Sequence, residues 1–431
     1  MTYSSTRDPQ KRPVSFREAV LSGLAPDGGL YVPERIPRLG AEWRDAESLA
    51  ETAQHALTPY VGGELSAAEL KAVTEDALDF PVPLVKLDDT LAVLELFHGP
   101  TLSFKDVGAR TMARLMSAFL RGSGERLTIL VATSGDTGSA VADGFAGQEN
   151  VQVVLLYPKG MVSDTQERQL VAPRPGVRAY AVAGDFDACQ RLVKAAFVDP
   201  ELRGLGLSSA NSINLGRLLP QSSYYLWAAL QAEALGWDKP VFCVPSGNLG
   251  NLMAGLFASR AALDVPRFIA AHNANDFFPG FLGGRYHHAG FRDTVPTLSN
   301  AMDVGAPSNF ERLYALLGED ALRQDVWSTS VSDALTTARM RLTHERYGYV
   351  ACPHTAVGLE AAERYRRETG DHTPLVVLAT AHPAKFGGAV TAALGAAPAE
   401  VPALEALKGP DEEAPALAAT LAALKRELLR S

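Results

Sequence analysis

The sequence predicts an α/β protein: two three-layer α/β/α units with mostly parallel sheets, preceded by an N-terminal segment. Three observations carry this. Short apolar runs alternate with helix-like segments, as in parallel sheets covered on both faces. Glycine-rich turns directly follow two of those runs. The chain has 431 residues, too many for one simple core.

In chain order, Phe16 to Leu24 reads as a short helix ended by the turn Ala25-Pro26-Asp27-Gly28-Gly29, and Leu30 to Val32 as a short strand. Ser48 to Leu78 has helical apolar spacing, broken by Pro59 and Gly62-Gly63. The runs Leu127–Ala132, Val151–Leu156, Val177–Val182, Val241–Val244, Phe268–Ala271 and Leu375–Leu378 read as buried strands. Helical stretches at Phe186–Phe197 and Leu252–Leu263 lie between them. Pro279 to Pro307, rich in Gly, Asn and Pro, reads as a long functional loop. The Ala/Pro-rich stretch from Ala396 leads into a packing helix with Leu417, Leu421, Leu424 and Leu428 on one face. The strands fall into two groups. The expected division is therefore an N-terminal domain, 1–92; a large unit, 93–126 with 231–431, that includes the C-terminal helix; and a small mobile unit, 127–230.

Composition narrows the function. Lys and Arg number 40 against 49 Asp and Glu, a net charge of −9, with no basic stripe, so nucleic acid is not an expected partner. The three cysteines, Cys189, Cys243 and Cys352, are far apart and form no C-x-x-C; neither zinc nor a disulfide framework is expected, and a reducing cytoplasm fits. No apolar stretch of about 18 residues suggests a membrane span. His287-His288 lacks companion ligands, so no metal site is expected.

Three segments carry chemistry. Thr133-Ser134-Gly135-Asp136-Thr137-Gly138 offers hydroxyls and N–H groups at a helix start, suited to a carboxylate, or is simply an N-cap turn. Pro245-Ser246-Gly247-Asn248-Leu249-Gly250-Asn251 lets backbone approach a phosphate, or is a plain turn; it is neither a Walker A loop nor G-x-G-x-x-G. Phe97 to Asp106 places Lys105 among small and apolar residues. A lysine there is either a desolvated amine nucleophile or a snorkelling surface residue. A reactive lysine, a phosphate cradle and a carboxylate-binding turn are together the parts of a pyridoxal-phosphate site.

The residues Ser103-Phe104-Lys105-Asp106 resemble the cofactor-lysine motif of fold-type II pyridoxal-phosphate enzymes, and His98 to Asp106 resembles the threonine synthase family in particular. Thr297 to Gly305, Ser308 to Arg312, Ala379 to Phe386, Val14-Ser15-Phe16 and Gly28 to Tyr31 are similar to the same family, in its bacterial and fungal branch. The resemblance covers nearly the whole chain. It implies a cytoplasmic lyase, monomer or homodimer, that uses pyridoxal 5'-phosphate to turn O-phospho-L-homoserine and water into L-threonine and phosphate by γ-elimination and β-hydration.

The resemblance also implies roles. Lys105 would be the Schiff-base lysine and proton shuttle. Gly247, Asn248, Leu249, Gly250 and Asn251 would cradle the cofactor phosphate, Thr380 would face the pyridine nitrogen, and Asp136 would stand near the phenolic oxygen. Several fold-type II relatives carry Asn at the place of Asp136, and a carboxylate there repels a phenolate unless one of them holds a proton. Thr133, Ser134 and Thr137 are candidates for the substrate carboxylate. Asn211, Ser212 and Arg217 are candidates for its phosphate. Asn309 and Arg312 are further candidates, and Lys385 is either another or part of a structural ion pair. His98 shapes its turn and His354 caps a helix. The alternative is another fold-type II lyase, such as a serine/threonine dehydratase or a phospho-amino-acid lyase; a dehydratase has no use for the second anion site.

Overall fold

The computed structural model describes residues 1–133, 135–162, 164–406 and 414–430. Its strands, in chain order, are β1 Tyr3–Ser5, β2 Tyr31–Pro33, β3 Leu84–Lys86, β4 Leu91–Glu95, β5 Leu127–Ala132, β6 Val151–Pro158, β7 Val177–Ala183, β8 Leu207–Ser208, β9 Val241–Pro245, β10 Phe268–His272, β11 Val326–Ser330, β12 Leu375–Ala379 and β13 Ala416–Ala418. They form two main sheets and an antiparallel β1–β2 pair.

The six-stranded sheet has the order β11-β10-β9-β12-β4-β3 and is parallel except for β3. Its central strands β9, β10 and β12 are buried at every residue, which is why they read as unbroken apolar runs. The five-stranded sheet, β13-β7-β6-β5-β8, is wholly parallel. The helix Lys105–Leu120 lies between the sheets. One apolar cluster runs from Leu94, Phe242 and Leu378 through Met112 and Met116 to Ile129 and Val153.

Local sequence sets the helix ends. Ser15, Ser48 and Ser66 accept hydrogen bonds from the backbone three residues on, and Ser66 forms a full capping box with Glu69. Pro59 was expected to break its helix, yet Leu49–Val61 runs through it. The proline sits in the last turn and Gly62, at φ 64°, ends the helix three residues later.

Three expectations need correction. Leu417 lies in β13, not on the C-terminal helix, which is Leu421–Leu429. That helix and β13 join the five-stranded sheet, β13 pairing with β7 and Leu424 and Leu428 packing with Val182 and Cys189; they do not belong with the large unit. The edges at 92 and 230 also cut elements: β3 pairs with β4, and residue 230 lies inside the helix Ser222–Ala234. Among the described residues no helix is long and apolar enough to cross a membrane.

Candidate active site

Lys105 opens its helix directly after the loop that leaves β4. The loop is pinned to the end of β12: Leu96 N–H donates to Ala379 O at 3.0 Å, Phe104 N–H to Thr380 O at 2.9 Å, and His382 N–H to Leu102 O at 3.0 Å. Asp106 closes it from inside, accepting from Thr101 N at 2.9 Å and Thr101 Oγ1 at 2.5 Å. The Lys105 side chain is only 15% exposed. Burial, helped by the nearby cations Lys385 and Arg217 and opposed by Asp136, lowers its pKa to about 8. Lys105 is thus a desolvated amine and not a snorkelling surface residue.

The second turn leaves β9, which neighbours β12, which neighbours β4. The lysine loop, Thr380 and the 246–251 turn therefore meet at the carboxyl ends of three adjacent parallel strands. Leu249 takes φ 60° at the start of the helix Gly250–Ala261. A Cβ on Gly247 would stand 2.8 Å from Met302 Cα, so only glycine lets the turn lie against the Thr297–Gly305 segment. Asn251 accepts from the hydroxyls of Tyr224 and Tyr225 at 2.6 and 2.7 Å, and its buried Nδ2 has no partner among the described residues.

The third turn leaves β5 and reaches the site from the other sheet. Thr133 Oγ1 accepts from Gly138 N at 2.8 Å and Gly135 N at 3.2 Å. It builds the turn, so its hydroxyl is committed, contrary to its expected role on substrate. Thr137 is half-buried there, and Ser134 lies outside the described residues. Asp136 begins the following helix, with Oδ2 at 4.0 Å from Lys105 Nζ and Oδ1 at 2.9 Å from Lys385 Nζ. Lys385 thus forms a close ion pair with Asp136. Burial alone would raise the Asp136 carboxyl; Lys385 and Lys105 outweigh it and hold it well below the usual range.

The segment after β8 brings Ser212 to Asn248, whose Nδ2 donates to Ser212 Oγ at 2.6 Å. Arg217 is buried, gives Nη1 to Ala210 O at 2.7 Å, and keeps Nε without a partner among the described residues. Asn211 is half-buried on the same segment. Arg312 is not a substrate group: its donors reach Tyr31 O, Asn309 Oδ1 and Ile213 O at 3.1, 2.6 and 2.5 Å, which makes it a brace. Asn309 spans the two segments, donating to Ser212 O and Asn248 O at 3.3 and 3.2 Å.

Two residues exceed their sequence reading. His354 is buried in the first turn of Pro353–Thr369, and its Nε2 accepts from Ala301 N at 3.2 Å; it braces the Thr297–Gly305 segment where a simple cap was expected. Lys385, open between two readings in the sequence, stands in the ion pair with Asp136. Its signal was present: like Lys105, it follows an apolar strand among small and aromatic residues.

These residues fit pyridoxal phosphate. The fit rests on a buried primary amine, a turn whose glycine a Cβ would block, and the unpartnered Nδ2 of Asn251 and Nε of Arg217. The family model described as pyridoxal-phosphate dependent enzyme matches residues 78–381, and this fold and site are those of that class, with pyridoxal phosphate as cofactor. Models described as threonine synthase N terminus and threonine synthase, C-terminal match residues 2–78 and 355–427. The chain is 44% identical to a threonine synthase of Haemophilus influenzae over 92% of each chain. It superposes on a pyridoxal-phosphate-bound threonine synthase of Brucella melitensis with a TM-score of 0.91, at 37% identity, over 100% of this chain and 99% of that one. A threonine synthase structure from Escherichia coli gives 0.90 at 39% identity, over 100% of both chains. The chain belongs to the threonine synthase family.

Proposed function

We propose that the chain converts O-phospho-L-homoserine and water to L-threonine and phosphate, with Lys105 as the residue that bonds the cofactor and then moves protons at the substrate. One observation carries this reading. The buried Lys105 amine, the 247–251 turn and an anion-binding segment with an unpartnered Arg217 Nε lie together, so one amino acid with a phosphate tail suits the site.

When bound, pyridoxal phosphate supplies an extended π-system that takes up the electron pair left at a substrate carbon. The chain supplies the rest. Backbone N–H groups of Gly247 to Asn251, at a helix start, would hold the cofactor phosphate. Thr380, directly after β12, would face the ring nitrogen, and a hydroxyl there would not keep that nitrogen protonated. Lys105 Nζ, with its pKa lowered to about 8, is an amine that can take the α-proton; loss of a β-proton then expels the γ-phosphate, and a proton is returned at the γ-carbon before water adds at the β-carbon. Asn211, Ser212 and Arg217 hold the leaving phosphate and keep it in place as charge develops on it. Ser134, the Thr137 hydroxyl and the N–H groups of Asp136 and Thr137, in the first turn of the helix, would hold the carboxylate. The five-stranded unit closes over the site and keeps water out until β-hydration. The three thiols, free and buried, support a reducing cytoplasm, with the protein as monomer or homodimer.

The test is product analysis with O-phospho-L-homoserine. Threonine and phosphate in equal amounts are expected, while 2-oxobutyrate as the main product would replace this reading with a dehydratase. Lys105→Ala should lose both turnover and the absorbance of lysine-bound cofactor; a variant that still turns over would remove Lys105 from its role.

A further inference from the structure

Lys385 sits where three separately built parts of the site touch. It follows β12 in the turn Pro383–Phe386, which His382 Nδ1 caps by accepting from Ala384 N at 3.1 Å. Its side chain is 1% exposed. Its ammonium donates to Thr101 O at 2.9 Å, inside the lysine loop, and lies 2.9 Å from Asp136 Oδ1, on the helix that follows β5 of the other sheet. Asp136 thus stands between two buried lysines, nearer to Lys385 than to Lys105 at 4.0 Å.

We infer that Lys385 is a positioning residue: it holds Asp136 as an anion across the two sheets and so keeps that carboxylate from closing its 4.0 Å ion contact with the Lys105 amine into a hydrogen-bonded salt bridge. The inference rests on Lys105 being the reactive amine of the proposed reaction. An unneutralised buried carboxylate beside a lysine pairs with it, and a paired lysine keeps its proton. With Lys385 engaged at 2.9 Å, Asp136 is charge-compensated chiefly by Lys385, and Lys105 stays at 4.0 Å. The same compensation answers the repulsion expected between a carboxylate at this position and the cofactor's phenolic oxygen, since an ammonium joins the pair.

Other charged groups face the cluster. Asp106 and Arg217 act on Lys105, His354 lies beside Asp136, and Asp143 acts on Asp106. None of them replaces Lys385 as a cation within 4.0 Å of Asp136 Oδ1 among the described residues.

The test uses the apoenzyme, so the readout does not depend on turnover. Acetic anhydride labelling of Lys105 is followed against pH by mass spectrometry of the peptide that carries it. In Lys385→Met a like charge is gone and Asp136 turns to Lys105, so the labelling midpoint should rise by about one pH unit or more, about tenfold less free amine at a given pH. Lys385→Arg, which keeps the cation, should stay within about 0.3 unit of the parent. A folded Lys385→Met with an unmoved midpoint overturns the inference. If Lys385→Met does not fold, the double variant D136N/K385M decides. Both charges of the pair are then gone, so it should fold and label with a midpoint no higher than the parent's; failure to fold, or a raised midpoint, overturns the inference. A wrong assignment of Lys105 would show separately, as turnover surviving in Lys105→Ala.

Discussion

Lys105, Asp136 and His354 are each buried, and each is held in the charge state that its neighbours make cheapest. For His354 that state is neutral. Burial lowers its pKa from 6.5 to about 4, Asp136 opposing and Lys105 and Lys385 adding to the effect. Its unprotonated Nε2 is also the acceptor that holds Ala301 N–H. The linkage has a definite sign. Between pH 6.5 and about 4 the unfolded chain binds a proton here that the folded chain does not, so stability falls as pH drops through that window. Urea unfolding from pH 7 to 4.5 should show this fall, and His354→Gln, which keeps an acceptor but cannot titrate, should show a shallower one. Equal slopes in the two proteins would mean that His354 titrates normally in the folded state. Residues of this kind are hard to read in sequence: a histidine before a helix looks like a cap, and only the tertiary contact with Ala301 gives it another task. Lys105 was legible because a lysine amid Phe97, Leu102 and Phe104 breaks the local pattern.

Among the elements, the glycine-rich turns show what sequence pattern resolves well and what it leaves open. Strands β5, β6, β9 and β12 begin at the residues the apolar runs indicated, because strands buried on both faces need unbroken apolar sequence. The short edge strands β3, β8 and β13 had no such signal, since pairing to a neighbour defines them more than composition does. The 246–251 turn was visible as a candidate cradle, but not the segment that braces it from behind. Gly247 rests on Met302, and Asn273 Nδ2 ties that segment down through Asp303 Oδ1 at 2.7 Å and Thr297 Oγ1 at 2.8 Å. Gly247→Ala should therefore push backbone against backbone, where neither side yields as a flexible side chain would. The expected cost is about 1–3 kcal/mol, with a clear loss of cofactor affinity in titration of the apoenzyme. Unchanged affinity in this variant would mean that the turn does not lie against the cofactor phosphate.

At the scale of the whole molecule, the chain's last residues stabilise a unit far from them in sequence. The C-terminal helix carries Leu421, Leu424 and Leu428 of the leucine face that its periodicity indicated, without Leu417, but periodicity does not say which sheet receives it. Leu424 and Leu428 are fully buried with Leu130, Val154, Val182 and Cys189, while β13 covers the open edge of β7. The five-stranded sheet would otherwise present β7 as an unpaired parallel edge, so the segment both completes a core and blocks an edge. Leu424→Ala should then cost about 2–5 kcal/mol. Because the lost contacts are those of one sheet, the loss should be uneven. Hydrogen exchange should accelerate first at the amides of β6 and β7, while β9 and β12, none of whose residues packs in the cluster of Leu424 and Leu428, keep their protection. Equal acceleration in both sheets would show that the two units unfold as one, and the five-stranded unit would then have no independent freedom to close over the site.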